Sequence, residues 1–224
     1  MKAKHLVFFV TEDWYFVSHR LPLAIAAKDA GMSVSVITRV RDHGAQIEEA
    51  GLRLIPFEHS RGGINPLRES VTLLKLILLY RRMKPDIAHH VAMKPVLYGS
   101  IAAHLAGGKP HRINALAGMG WLFTSKGRLA RVLRPAVRYA LKRVLRSGVA
   151  VVQNPDDERV LIELGVPNAQ IRRIAGSGVD LQLFRPQPEK PGVPVVVLPA
   201  RLLWNKGVGE FVAAARMLVT QGVE

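Results

Sequence analysis

The chain has 224 residues, and its hydrophobic content of 49% suits a packed core and is too high for a disordered chain. It contains no cysteine, which excludes a disulfide scaffold, a cysteine-ligated zinc site and a thiol nucleophile. Because 32 lysines and arginines outnumber 17 acids, the formal net charge is +15, which indicates attraction to a polyanion. No stretch reaches the roughly 20 apolar residues of a membrane span or forms a signal-peptide core, so we expect a soluble cytosolic protein.

Short apolar segments alternate with helical patterns along most of the chain. The predicted strands are His5–Thr11, Met32–Thr38, Leu52–Phe57, Asp86–Val91, His111–Leu116, Val149–Gln153, Ile171–Ala175 and Val195–Leu198. The predicted helices are His19–Ala30, Asp42–Ala50, Asn65 to about Lys84, Pro95–Ala106, Gly127–Arg146, Asn154 to Leu164, and Gly207–Gln221. This alternation predicts an α/β fold with a doubly wound, Rossmann-like parallel sheet. Ligands of such sheets bind outside the carboxyl ends of the strands.

A proline-rich segment divides the chain near its C-terminal end. Residues 185–194 contain four prolines, a composition typical of a stiff linker. We therefore expect a Rossmann-like domain over 1–186, a linker over 187–194 and the start of a second domain over 195–224. One strand and one helix cannot bury a core of their own, so the second domain would be incomplete.

The loop between the last predicted strand and helix carries two cations. Arg201 and Lys206 lie just before a helix N-terminus, where free backbone N–H groups and the helix dipole also favour an anion. Together they could bind a diphosphate. The alternative is a solvated loop with two ordinary surface cations.

Two motifs in this part of the chain resemble one known family. The first is Ala200-Arg201 with Lys206-Gly207, an Ala-Arg-x-x-x-x-Lys-Gly motif before an amphipathic helix. The second is Gly176-Ser177-Gly178-Val179-Asp180, followed by Phe184-Arg185-Pro186. In their order and spacing they are similar to family-4 glycosyltransferases of the GT-B fold, particularly bacterial enzymes that extend undecaprenyl-linked sugars. The resemblance covers about residues 1–224, with the N-terminal part as the acceptor-side domain.

The resemblance implies a reaction and its participants. Arg201 and Lys206 would contact the diphosphate of a nucleotide-sugar donor, such as a UDP-sugar, and no metal or cofactor is implied. A retaining transfer would place the sugar on a lipid-linked or polysaccharide acceptor in cell-surface glycan biosynthesis. The paired glutamates that hold the donor in the family lie further along the second domain, outside this chain. We therefore expect the 224-residue chain to be inactive alone.

Polar residues after the first predicted strand are candidates for lining the crevice. Glu12, His19 and Arg20 follow that strand, and the family has a polar loop with an arginine there. Arginine is unfavourable at a helix N-terminus, which favours an anion-binding role for Arg20. The alternative is that the aromatic residues 14–16 pack the loop while His19 and Arg20 cap the helix start.

Two further loops supply candidates. His89 and His90 lie near the end of the fourth strand, on opposite faces of the sheet, so they cannot easily share a metal. By resemblance, His90 and Lys94 would lie on the acceptor side; the alternative for a strand histidine is a core residue with its hydrogen bonds satisfied. Gly118 and Gly120 follow the fifth strand and would line the active site, since glycine allows close backbone approach. Many family members have a histidine at this point, and its absence leaves the catalytic residue unassigned.

The predicted helix after the fifth strand concentrates the positive charge. Residues 126–146 contain eight lysines and arginines and no acid. Arg131, Arg134, Arg138 and Lys142 form a stripe opposite the apolar residues of that helix. Each cation could contribute about 1 kcal/mol near an anionic leaflet, so the stripe predicts peripheral docking on the cytoplasmic face of the cell membrane. The alternative is an ordinary solvated face.

Three other classes of function are alternatives to this prediction. Nucleic-acid binding is not expected, because RNA-binding surfaces interleave aromatic and basic residues and only Tyr139 does so in this helix. A nicotinamide oxidoreductase is disfavoured, because Gly118-x-Gly120 lacks a third glycine and a downstream acid. A non-catalytic basic module, or a split subunit whose partner supplies the donor half, stays open.

Overall fold

The computed structural model describes residues 3–59, 65–116, 128–188 and 191–222. The chain divides into two compact units, Met1–Gly178 and Val179–Glu224. The interpretation of residues 187–194 as a linker and of 195–224 as the start of a donor-side domain stays a prediction.

The first unit is built on a seven-stranded sheet in which all neighbouring strands are parallel. The strands are β1 (His5–Glu12), β2 (Ser33–Arg39), β3 (Arg53–Pro56), β4 (Ile87–Val91), β5 (His111–Leu116), β6 (Val149–Val152) and β7 (Ile171–Arg173). The helices are α1 (Asp13–His19), α2 (Leu21–Asp29), α3 (Gly44–Glu49), α4 (Pro66–Met83), α5 (Met93–Leu105), α6 (Arg128–Leu145) and α7 (Pro155–Glu163). The strand order is β3-β2-β1-β4-β5-β6-β7, so the winding direction reverses between β1 and β4. The prediction of a doubly wound parallel sheet is confirmed.

The sheet is buried because its central strand is apolar on both faces. In β1, Leu6 and Phe8 pack in one core cluster with Phe16 of α1, whereas Val7 and Phe9 pack in another with residues of α4 and α5. Successive strand residues point to opposite faces, so an uninterrupted apolar run requires cover on both sides. Helices α1, α2 and α3 supply that cover on one face, and α4 and α5 supply it on the other.

Two helix starts follow from capping chemistry that is visible in the sequence. The Asn65 side chain accepts hydrogen bonds from the backbone N–H groups of Leu67 and Arg68, and Pro66 occupies the first turn of α4. The Asn154 side chain accepts from the backbone N–H of Asp157 at the start of α7. Both caps satisfy N–H groups that have no partner inside the helix, and they lie at the predicted helix starts, Asn65 and Asn154.

Two predicted elements differ from the structure. The segment expected as a loop after β1 is helical from Asp13, because a helical turn directs Phe16 into the core, where it is fully buried. The chain breaks at Arg20 before α2 begins. The predicted strand Val195–Leu198 is wrong, because the structure assigns it no strand and Val195, Val196 and Val197 are at least 70% exposed. A strand requires a hydrogen-bonded neighbour, and the described part of the second unit, 179–188 and 191–222, supplies none.

Within 179–188 and 191–222, the second unit contains a short 3-10 turn, Trp204–Lys206, and one helix, α8 (Val208–Thr220). Gly207 links them with φ +76°, in the left-handed region that favours glycine. At Gly209 an added Cβ would lie 2.9 Å from the Trp204 ring, so the turn packs closely against the first residues of the helix.

Helix α5 approaches β4 so closely at Gly99 that alanine should not fit there. A Cβ at this position would lie 2.4 Å from His90 Cδ2, so we expect Gly99→Ala to lower the free energy of unfolding by about 1–3 kcal/mol. Urea denaturation measures this change. Gly108→Ala is the control, because its added Cβ meets only Pro110 Cδ, at 3.7 Å. Equal stability of Gly99→Ala and Gly108→Ala would contradict the close approach.

Candidate functional site

The reversal of strand order marks the candidate site. Loops after β1 and β4 diverge to opposite sides of the sheet at this point, which leaves a crevice at the carboxyl ends of the strands. Gly118 and Gly120, predicted to line the site, belong to residues 117–127 after β5 and lie outside the described residues.

Glu12 stands at the end of β1 and is held by Arg39 at the end of β2. Arg39 donates from Nε to Glu12 Oε2 at 3.0 Å and from Nη2 to Glu12 Oε1. The hydrogen-bonded carboxylate raises the pKa of Arg39, and Glu12 is only 5% exposed. A bidentate pair of this kind fixes both side chains. Glu12 therefore holds β1 to β2 at the crevice edge.

Asp13 is a buried residue that the sequence did not single out. Its carboxylate accepts from the backbone N–H of Arg41 at 2.6 Å, of His43 at 2.9 Å and of Trp14 at 2.7 Å. Burial acts to raise the pKa of Asp13, but these three donors outweigh it and the pKa is lowered. Asp13 thus fixes the loop after β2 to the start of α1.

Arg20 brings together segments that are distant in sequence. Its Nη1 donates to Ser177 Oγ at 3.2 Å and to the His19 carbonyl at 3.3 Å, while its Nε is buried without a partner among the described residues. Burial lowers the pKa of Arg20. Arg20 occupies the N-cap position of α2 without a side-chain capping bond. The His19 ring stacks on Tyr15 at a centroid distance of 4.3 Å, and its Nδ1 lies 2.6 Å from Ser18 Oγ.

The adjacent histidines of β4 face opposite sides of the sheet, as the sequence predicted. His89 stacks on Phe8 with ring centroids 4.9 Å apart. His90, expected to line the cleft, is instead fully buried toward α4 and α5, where it bonds to Tyr80 Oη at 3.0 Å and Asn114 Oδ1 at 2.8 Å. Strand alternation directs it into that layer.

Lys94 lies in the first turn of α5 and is bound by a carboxylate from α4. Its Nζ donates to Glu69 Oε1 at 2.8 Å and lies 5.3 Å from the centre of the Tyr98 ring. Tyr98 Oη donates to the other Glu69 oxygen at 2.7 Å. Burial and then this hydrogen bond raise the pKa of Tyr98. Glu69 therefore positions two α5 side chains next to the crevice.

No group of three His, Asp or Glu side chains within 3–59, 65–116, 128–188 and 191–222 is placed to hold a metal ion. None of the helices in these ranges is long and apolar enough to cross a membrane.

The basic helix α6 exposes a somewhat different set of cations from the predicted stripe. Arg131 and Lys142 are exposed, whereas Arg134 and Arg138 are half-buried at the edge of the packed face. Tyr139 is 73% exposed near the centre of the solvent face. The apolar residues toward its C-terminal end pack in the core: Val137, Leu141, Val144 and Leu145. The outer face of α6 remains strongly basic.

In the second unit, Arg201 and Lys206 are both exposed on the segment that leads into α8. Lys206 ends the 3-10 turn, and Gly207 follows it as the N-cap of α8 without a side-chain capping bond. The cations and the free N–H groups of this helix start are thus local neighbours in the chain.

The sheet order and its switch point define the first unit as a Rossmann-like domain of the kind found in GT-B proteins. Residues 5–146 match the model of the glycosyl transferase 4-like family, and the chain belongs to that family. The resemblance to family-4 glycosyltransferases is confirmed.

One curated relative is an enzyme of Campylobacter jejuni. It is the N,N'-diacetylbacillosaminyl-diphospho-undecaprenol α-1,3-N-acetylgalactosaminyltransferase, and it is 27% identical over 213 aligned residues. The match covers 89% of this chain and 56% of the relative. The chain therefore spans about half the length of the curated relative it matches.

Solved structures show the same fold at low sequence identity. Anabaena HepE in complex with UDP-glucose matches with a TM-score of 0.56 and 12% identity, over 82% of this chain and 46% of HepE. Sucrose-phosphate synthase of Thermosynechococcus elongatus matches with a TM-score of 0.57 and 17% identity, over 82% of this chain and 50% of the synthase. Both likenesses concern the fold alone.

Ala92, between β4 and α5, has an unfavourable backbone conformation, with φ +80° and ψ 163°. This region is essentially restricted to glycine and costs a side-chain-bearing residue about 1–3 kcal/mol. We expect Ala92→Gly to raise the free energy of unfolding by roughly 1 kcal/mol, after the higher entropy of the unfolded glycine is included. Ala106→Gly is the control: its φ is −69°, so it should lower stability. A loss of stability in both variants would contradict the left-handed conformation.

The pH dependence of stability should report the burial of His89. Burial, with smaller effects from Arg20 and His90, lowers its pKa to about 3, from about 6.5 in the unfolded chain. Between these values only the unfolded state binds the proton, so stability falls as the pH drops below about 6.5. His89→Phe keeps a ring against Phe8 without a titrating group and should lose less stability between pH 6.5 and 4. The same loss in parent and variant would contradict this assignment.

Proposed function

We propose that this chain is the acceptor-side part of a retaining glycosyltransferase that moves a sugar from a nucleotide-diphosphate donor, such as a UDP-sugar. The acceptor would be a lipid-linked or polysaccharide glycan at the cytoplasmic face of the cell membrane, in cell-surface glycan biosynthesis. The observation that carries the proposal is the match of residues 5–146 to the family model. The sheet of the first unit has a crevice at the carboxyl ends of the strands, where the strand order reverses between β1 and β4. The Campylobacter relative, named for transfer to an undecaprenol-linked sugar, supports the acceptor class.

Arg201 and Lys206 would bind the donor diphosphate. Both are exposed and precede the N-terminus of α8, where free N–H groups and the helix dipole favour negative charge. Their cations would stabilise the nucleoside diphosphate as it leaves with the negative charge of the broken glycosidic bond. The proposal includes no metal and no further cofactor.

The acceptor would lie in the crevice of the first unit. Arg20 supports this position, because its guanidinium has a buried Nε without a partner in the described part of the chain and contacts Ser177 of the Gly176–Gly178 segment. Lys94, held by Glu69, supplies a second cation at the start of α5. Two cations beside one crevice suit the phosphates of a lipid-diphosphate-linked glycan.

Catalysis is expected to need a donor-side segment in addition to this chain. The match covers only 56% of the Campylobacter relative, and the second unit contains one helix of eight residues or more within 179–188 and 191–222. We therefore propose that residues 1–224 bind the acceptor but do not transfer sugar alone.

Binding of UDP and UDP-sugars to the full-length protein tests the assigned donor site. We expect Arg201→Ala with Lys206→Ala to weaken binding at least tenfold in calorimetry, because two charge-assisted contacts with the diphosphate are lost. Arg216→Ala removes an exposed cation from the far end of α8 and should leave the affinity unchanged. If the double variant bound UDP as tightly as the parent, or if Arg216→Ala weakened binding equally, the assignment would be wrong.

A further inference from the structure

Helix α4 carries an uncovered row of apolar side chains. Leu67, Val71, Leu74 and Leu78 are 80%, 52%, 57% and 44% exposed. Their spacing of four, three and four residues places them on one face of the helix. The row extends along about 16 Å at the α-helical rise. We call these four residues the apolar stripe.

The apolar stripe does not serve the packing of α4 on its own domain. The inward face of α4 is formed by other residues. Of these, Leu76 and Tyr80 are buried in the core cluster shared with β1 and α5. Glu69, also turned inward, bonds to Lys94 and Tyr98. Single exposed leucines are common on protein surfaces, but a continuous exposed row marks an interaction site.

Cations flank the apolar stripe. Arg68, Lys75 and Arg82 recur every seven residues and form a row along one side of it, and Arg81 lies on the other side. All four are exposed. The only acid in α4 is Glu69, which is bound to α5. The outward face of α4 is therefore apolar along its centre, and every charged residue along its edges is basic.

This pattern of apolar and basic residues distinguishes between two binding partners for the outward face of α4, a second copy of the chain and an anionic lipid surface. A second copy of the chain, packed stripe to stripe, would oppose rows of cations with no acid on the outward face of either helix to pair them. An anionic lipid surface satisfies both features: acyl chains receive the apolar side chains while phosphates pair with the lysine and arginines. We propose that α4 lies in the interface of an anionic membrane and inserts its apolar stripe among the lipids.

The topology places α4 close to the crevice in which the lipid-linked acceptor is proposed to bind. The biological role of membrane insertion by α4 therefore rests on the proposed function. The crossovers β3–α4–β4, β4–α5–β5 and β5–α6–β6 lay α4, α5 and α6 side by side on one face of the sheet, with α5 in contact with both neighbours. All three helices begin at the crevice edge. Insertion of α4, with the basic face of α6 nearby, would set the crevice opening beside the lipid surface.

Vesicle binding tests the apolar stripe directly. We expect the parent chain to sediment with vesicles of phosphatidylglycerol and phosphatidylcholine, and Leu74→Ser with Leu78→Ser to weaken this binding at least tenfold. Leu23→Ser is the matched control, because Leu23 is 50% exposed on α2, in the other helix layer. Circular dichroism and the thermal midpoint verify that the variants are folded. Binding by the double variant equal to that of the parent, or an equal loss in Leu23→Ser, would overturn the proposal.

Site-specific labelling adds a readout of insertion. Because the chain has no cysteine, Leu74→Cys and Leu23→Cys each give one thiol for an environment-sensitive dye. We expect a blue shift with anionic vesicles at position 74 and none at position 23. No shift at position 74, or disulfide-linked dimers at that position without lipid, would overturn the membrane assignment, the latter in favour of a second copy.

The two proposals fail separately. If the stripe variants bind vesicles like the parent while UDP binding still depends on Arg201 and Lys206, the inference on α4 is wrong and the donor-site assignment stands. If UDP binding does not depend on those cations but the stripe variants lose vesicle binding, α4 is a membrane-binding helix in a protein with another donor site.

Discussion

Burial of β1 on both faces is the constraint on which the first unit depends. The strand pairs with β2 on one side and β4 on the other, and all residues after His5 in it are buried. Its alternating side chains therefore need a helix layer above and another below the sheet. To cover both faces, the chain adds β2 and β3 on one side of β1 and the later strands, β4 to β7, on the other side. The direction in which strands are added therefore reverses beside β1. The crevice is thus a consequence of how the central strand is buried.

The same strand end organises the residues around the crevice. Glu12 bonds to Arg39 at the end of β2, and Asp13 accepts from backbone N–H groups of the loop that follows. Both acids lie at the point where the sheet ends, so Glu12 joins the ends of two neighbouring strands and Asp13 joins the start of α1 to the loop after β2. Buried carboxylates with several donors resist displacement, because removing one partner leaves a desolvated charge. On the β1–β2 side the buried carboxylates are hydrogen-bonded, whereas Arg20 retains a buried Nε without a partner in the described part of the chain.

Most of the fold was predictable from sequence because its determinants are local. Apolar runs gave seven of the eight predicted strands, and the caps at Asn65 and Asn154 gave two helix starts. The site was less predictable, because the Glu12–Arg39 and Glu69–Lys94 pairs join residues at least 25 positions apart. The helical turn before Phe16 depends on a core that a local pattern does not show. Val195–Leu198 has the local composition of a strand but forms none, because strand propensity is not sufficient without a neighbouring strand to accept its hydrogen bonds.

The distribution of charge gives α4 two distinct roles. Its acid, Glu69, faces inward and holds Lys94 and Tyr98 at the crevice, while its cations face outward. An acid among the outward cations would weaken attraction to an anionic surface, and a missing acid on the inward face would leave Lys94 without its carboxylate. The segregation therefore serves both faces of one helix. Because Glu69 lies only two residues from Val71 of the apolar stripe, on the opposite face of the same helix, contact between α4 and a lipid surface would act on an element that directly positions crevice side chains.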